Sequence, residues 1–150
     1  MGEENIQAFE RYDADVAAMF VSASDQAGGL PGFLGLRIVA AGPGWMRAEA
    51  EVKPELQTPF GNLHGGVMAA TCDHLLGCVC YPLLKKGQWA ATTEFKLNYL
   101  APISNGVIAA EARVVSITRT TAVVRIDVSN EGRLACAAQG LVLIRDPKPR

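Results

Sequence analysis

The 150-residue chain has no GxSxG turn, no CxxC pair, no basic stripe and no acidic tail. Each absence removes a class of function. Without GxSxG, and with only two histidines, both inside one apolar segment, a Ser-His-Asp hydrolase triad has no candidate arrangement. The four cysteines, Cys72, Cys78, Cys80 and Cys136, lack the spacing of a zinc site, and three of them sit among apolar residues where reduced thiols act as small hydrophobes. If the segment is helical, His64 and His74 stand about 15 Å apart along its axis, too far to share a metal within one chain. Fourteen cations against fifteen acids, dispersed along the chain, argue against nucleic acid as a partner. The N-terminus carries acids where a signal peptide carries positive charge, and no uninterrupted apolar run reaches the length expected of a membrane span. These features imply a cytoplasmic protein with no membrane partner.

What is present is a chain 49% hydrophobic, long enough for one compact core and short for two. Residues 5–22 read as a helix, followed by a loop at Gly28–Gly32 and a strand over 33–40. Gly42-Pro43-Gly44 makes a turn, after which Met46, Ala48, Ala50 and Val52 alternate with Trp45, Arg47, Glu49 and Glu51 as a half-buried strand. Lys85-Lys86-Gly87 is expected to close a long helix. Strand patterns follow over 89–99, 106–118, 121–129 and 133–145, the last two joined by the turn Asn130-Glu131-Gly132. The implied organisation is an N-terminal helix and loop over 1–32, the main domain over 33–145, and a flexible tail over 146–150.

Residues 60–84, FGNLHGGVMAATCDHLLGCVCYPLL, are small and apolar apart from a few positions, and hold one carboxylate, Asp73. From Val67 to Tyr81 the helix they predict is apolar around its circumference, so burial on all sides is expected. One sheet face cannot surround it. The economical α+β architecture is an antiparallel sheet curled around a central helix, any uncovered face being closed by a second copy.

Leu63-His64-Gly65-Gly66, Asp73 nine residues after the histidine, and a strand ending Asn98-Tyr99-Leu100-Ala101-Pro102 together resemble the hotdog-fold acyl-CoA thioesterases of the phenylacetic-acid-degradation type. The likeness spans roughly residues 33–145. It implies a hotdog fold, a homodimer or a dimer of dimers, and metal-free, cofactor-free hydrolysis of acyl-CoA. A helix N-terminus offers free N–H groups and partial positive charge to a thioester oxygen gaining negative charge, which makes Gly65 N–H the main oxyanion donor and gives His64 the task of shaping the turn. Asp73 is the base or nucleophile, because a buried carboxylate is costly unless paired or used. Eight helical residues separate Gly65 from Asp73 by about 12 Å, so one chain cannot bring both to one carbonyl. Two antiparallel helices about a twofold can.

The resemblance adds further candidates. A position seven residues before Gly65, often Asn or Gln in the family, is here Thr58, with Gln57 beside it. Thr92 matches a family Ser or Thr that positions the hydrolytic water. Gly66, Gln57 and Asn62 complete the substrate-binding set. Phe33, Phe60, Trp89 and Tyr99 serve equally as core or pocket lining, and Lys96, Arg113 or Arg119 are candidates for the CoA phosphates. Rival functions are a hotdog enoyl-CoA hydratase or dehydratase using His64 and Asp73, a non-catalytic acyl-CoA or aromatic-ligand binder, and a structural oligomerisation module. The last has no reason to bury Asp73.

Overall fold

The computed structural model of the chain describes residues 3–147, with the side chains of residues 4–7 outside that description. Positions 148–150 of the expected tail lie outside it as well. Six strands form one sheet: β1 (Arg37–Gly42), β2 (Trp45–Glu51), β3 (Trp89–Tyr99), β4 (Val107–Ile117), β5 (Thr121–Asn130) and β6 (Arg133–Arg145). Their order is β1-β2-β4-β5-β6-β3, and every neighbouring pair is antiparallel. Tight turns explain the local pairings. Glu131 and Gly132 both take positive φ, 50° and 78°, between β5 and β6, the twist a two-residue hairpin demands. The Thr118 hydroxyl accepts from the N–H groups of Thr120 and Thr121 between β4 and β5. Register shifts, with an extra residue in β1, β3, β4 and β6, add twist that lets the sheet curl.

Inside the curl lies the helix Gly65–Cys78, packed against β3, β4, β5 and β6. Three shorter helices precede it: α1 (Glu3–Glu10), α2 (Ala14–Ala23) and α3 (Gly29–Leu34), so it is α4. Alternation on the strands sets the core. Met46, Ala48 and Ala50 of β2 and Ala122, Val124, Ile126 and Val128 of β5 are buried, as their period of two predicts. Gly140 of β6 permits the close approach of α4. A Cβ there would lie 2.6 Å from Phe95 Cβ, 2.8 Å from the Glu94 carbonyl oxygen and 3.0 Å from Leu76 Cδ1.

Several sequence expectations change. The helix over 5–22 is two helices, because Asp13 starts a new one, its carboxylate accepting from the N–H groups of Asp15 and Val16. Gly28–Gly32 is largely helical, as α3, and the strand expected from 33 begins at Arg37. The long helix does not run to Lys85. Pro82 has no N–H and its ring would clash with the carbonyl of Cys78, so α4 stops there and Tyr81–Leu83 form a separate 3-10 turn. Phe33, Phe60, Trp89 and Tyr99 are all exposed rather than core.

Burial of α4 is also one-sided. Val67, Met68, Thr71, Cys72, Leu75, Leu76 and Cys78 face the sheet, whereas Gly66 and Asp73 are exposed and Ala70 and Gly77 half-buried, a stripe at helical spacing that the single chain leaves open. Asp73 is therefore not buried within one protomer. By length and composition alone Gly65–Leu83, which is α4 with the turn after it, is long and apolar enough to cross a membrane, and most of it is buried as core of this fold. The four cysteines are free and buried, as expected of small core side chains. Burial pushes the Cys78 and Cys80 thiols up to about 12, and a hydrogen bond to Cys136, reinforced by burial, also raises Cys72.

Candidate active site

The strap entering α4 is held before the helix begins. Thr58 N–H donates to Asn62 O at 2.7 Å, Gly61 N–H donates back to Thr58 O at 3.0 Å, and Gly61 takes φ 79°, closing a tight loop. Leu63 N–H then donates to Ile103 O at 2.7 Å and His64 N–H to Leu56 O at 2.9 Å. Side chains tie the same loop to residue 104: Gln57 Nε2 donates to Ser104 O at 2.7 Å, and Ser104 Oγ donates to Asn62 Oδ1 at 3.1 Å. The Thr58 hydroxyl accepts weakly from Phe60 N–H at 3.3 Å and keeps its own proton to donate.

His64 is the N-cap of α4, with φ −65° and ψ 132°. Its Nδ1 accepts from Gly66 N–H at 2.9 Å, which places the ring proton on Nε2. Gly65 N–H has no acceptor among the described residues. It is a first-turn donor of the kind every helix leaves over, at the positive end of α4. An apolar cavity of about 420 Å³ opens beside it, walled by Leu63, Met68, Tyr99, Ala101 and Ile103. The Tyr99 hydroxyl donates to Gly65 O at 2.9 Å.

The other candidates lie elsewhere in the same chain. Asp73 sits on the open stripe of α4, about 12 Å along the axis from Gly65. His74 beside it is held below the usual histidine range by burial, against the opposing pull of Asp73, and packs on Cys78 with Nε2 3.6 Å from Sγ. Thr92 pairs with the buried Val142 of β6, so it shares the helix-facing side of β3 with Phe95, Leu97 and Tyr99. It lies about 20 Å along the strand from Tyr99. One protomer thus gathers His64, Gly65, Gly66, Gln57 and Asn62 around the start of α4, and leaves Asp73 and Thr92 apart. Among the described residues no three His, Cys, Asp or Glu side chains converge as a metal site would require.

Sequence reasoning named Tyr99 as a motif and lining residue without its bond to Gly65, and missed Ser104. Ser104 anchors both Gln57 and Asn62, and the Tyr99 hydroxyl reaches Gly65. A polar tip on an aromatic at a strand end was the available signal for Tyr99; Ser104 carries none in the local pattern.

Comparison with known proteins bears on what such a cluster does. The family description "Thioesterase superfamily" matches residues 60–137, the stretch holding α4, β3, β4, β5 and the start of β6. The chain is 30% identical over 107 residues to the proofreading thioesterase EntH of Klebsiella pneumoniae, covering 71% of this chain and 78% of that one. It is 26% identical over 118 residues to the 1,4-dihydroxy-2-naphthoyl-CoA hydrolase of Listeria monocytogenes, covering 78% and 96% respectively. The fold superposes on the crystal structure of a thioesterase from Haemophilus influenzae with a TM-score of 0.82 at 25% identity, covering 87% of this chain and 93% of that one. The chain belongs to the thioesterase superfamily and is a thioester hydrolase of the hotdog fold.

Proposed function

We propose that the substrate is an acyl-CoA with an aryl or medium-to-long acyl group, and that hydrolysis takes place at a site shared between two copies of the chain, as in enzymes of the phenylacetic-acid-degradation type. The observation that carries this reading is the pairing of an acceptor-free Gly65 N–H, at the mouth of an apolar cavity, with a carboxylate that the same chain holds about 12 Å away on an open helix face. A second copy supplies what is missing. β3 is an edge strand of eleven residues whose outer edge carries no neighbouring strand among the described residues, and antiparallel self-pairing there would set two α4 helices side by side with their open stripes together. Gly65 of one chain then meets Asp73 of the partner subunit, twice per dimer. Pairing of two such dimers into a tetramer, and residence in the cytoplasm, belong to the same reading.

In that arrangement the thioester oxygen lies against Gly65 N–H, where charge developing in the tetrahedral intermediate meets a preorganised donor. Asp73 either attacks the carbonyl carbon or takes a proton from the water that does. The C–S bond then breaks and CoA leaves as thiolate; on the first route water hydrolyses the acyl-Asp73 anhydride left behind. Thr58 can donate to the carbonyl or the water, and Thr92, on the helix-facing side of β3, is the candidate for holding the water in the dimer. The Gln57 amide is already committed to Ser104, which favours Thr58 over Gln57 for that contact. Gly66, Gln57 and Asn62 shape the mouth of the cavity. The hydratase alternative requires His64 to act as a base, yet its Nδ1 is occupied by Gly66 N–H and its Nε2 carries the proton. Support for CoA comes from the Listeria monocytogenes relative, named as a hydrolase of a CoA thioester.

The test is thiol release across aryl, short, medium and long acyl-CoAs, with and without a chelator. Hydrolysis of aryl or longer acyl groups at a rate the chelator leaves unchanged is expected. Binding of the same compounds without release of CoA overturns the reading in favour of a ligand-binding protein.

A further inference from the structure

The sequence Gly65-Gly66 begins α4 with the two most freely rotating residues available, which is a poor way to aim a catalytic N–H. The structure shows what fills the space beside each glycine and what restrains them. A Cβ on residue 65 would stand 2.9 Å from the Tyr99 ring and hydroxyl, and a Cβ on residue 66 would stand 3.0 Å from His64 Nδ1. Each glycine thus yields its Cβ space to a side chain, and each of those side chains bonds the backbone it displaces. Tyr99 Oη–H donates to Gly65 O at 2.9 Å, and His64 Nδ1 accepts from Gly66 N–H at 2.9 Å. Gly65 C=O and Gly66 N–H are the two ends of one peptide group. The pair of side chains therefore clamps a single peptide plane from opposite ends, and the preceding N–H, that of Gly65, is the one left free.

We infer that Tyr99 is a positioning residue for the reaction: together with His64 it fixes the Gly65–Gly66 peptide so that Gly65 N–H stays free and aimed at the thioester oxygen. The inference rests on the oxyanion role proposed for Gly65. Tyr99 comes from β3, 34 positions away in sequence, so the clamp also ties the start of α4 to the end of the edge strand. In the single chain the Tyr99 side chain is largely exposed, so water can replace its hydrogen bond there at little cost to stability. Loss of aim, by contrast, acts directly on the barrier, where a small displacement of a donor can cost up to about a hundredfold. These two magnitudes separate a positioning role from a merely structural one.

The experiment compares wild type, Tyr99→Phe, Gly65→Ala and the double variant by acyl-CoA thiol release, thermal melting and amide hydrogen exchange at Gly66. Tyr99→Phe should lower kcat about tenfold, leave KM within about twofold and leave Tm nearly unchanged, while Gly66 N–H exchanges faster. Gly65→Ala keeps the N–H but drives the Tyr99 ring away, so it should share the defect, and the double variant should be little worse than either single one. A Tyr99→Phe enzyme within twofold of wild type in kcat overturns the inference, as does a loss of rate that only follows a loss of Tm. If the wild type itself releases no thiol, the functional reading fails separately. The clamp is then decided by exchange alone: faster exchange at Gly66 in Tyr99→Phe supports it, and unchanged exchange overturns it.

Discussion

Asp73 presents its carboxylate to solvent on a stripe otherwise made of Gly66, Ala70 and Gly77, residues too small to shield it. Solvated in the single chain, the carboxylate needs no partner there; its chemical role rests on the dimer that would bring it against Gly65 of the partner subunit. Asp73→Asn keeps the volume and removes the charge, so turnover should fall by about 10² to 10⁴ or more while melting temperature and oligomer size hold. Thiol release with size-exclusion chromatography checks this, and a variant within threefold of wild type would show Asp73 to be a bystander. At this scale the sequence was a partial guide. His64, Gly65 and Asp73 stood out because a histidine, two glycines and an acid are conspicuous in an apolar run. Ser104 and the task of the Tyr99 hydroxyl did not, because their contacts with Gly65, Gln57 and Asn62 are made by chain folding rather than by spacing.

Among the elements, the strands followed their alternation closely: β6 runs over 133–145 and β3 over 89–99, the same bounds that period and turn residues indicate. The helices were harder to read. An Asp13 cap inside an otherwise continuous apolar pattern divides α1 from α2, and Pro82 ends α4 several residues before the lysines that look like its stop. The seat of α4 in the sheet depends on a residue with no pattern at all. Gly140 leaves room for Phe95 and Leu76, and a Cβ would also meet the rigid Glu94 carbonyl. Gly140→Ala should therefore destabilise the protein by about 1–3 kcal/mol, because backbone on one side cannot yield as a side chain would. Chemical denaturation measures it, and unchanged stability would mean that α4 is not closely seated there.

For the molecule as a whole, a sheet wrapped round one helix was foreseeable from the segment 60–84, since so apolar a helix needs more than one wall. That a second copy would close any uncovered face was expected too, but which residues form the open stripe was not, because periodicity cannot say which wall a protomer lacks. Small residues at Gly66, Ala70 and Gly77 suit contact with a second α4, and the free edge of β3 suits the strand pairing that would deliver it. The central claim, a site built from Gly65 of one chain and Asp73 of the partner subunit, is tested most directly by mixing Asp73→Asn with Gly65→Pro after reversible dissociation. Proline at 65 removes the N–H and suits the first turn of a helix after the extended His64, though its ring also displaces Tyr99, so either route disables that half-site. Both variants must first be folded and shown by mass to exchange subunits. Random exchange makes about half the dimers mixed, each with one intact site of two, so activity should recover to about a quarter of wild type. Confirmed exchange with activity no higher than that of the separate variants would contradict a shared site.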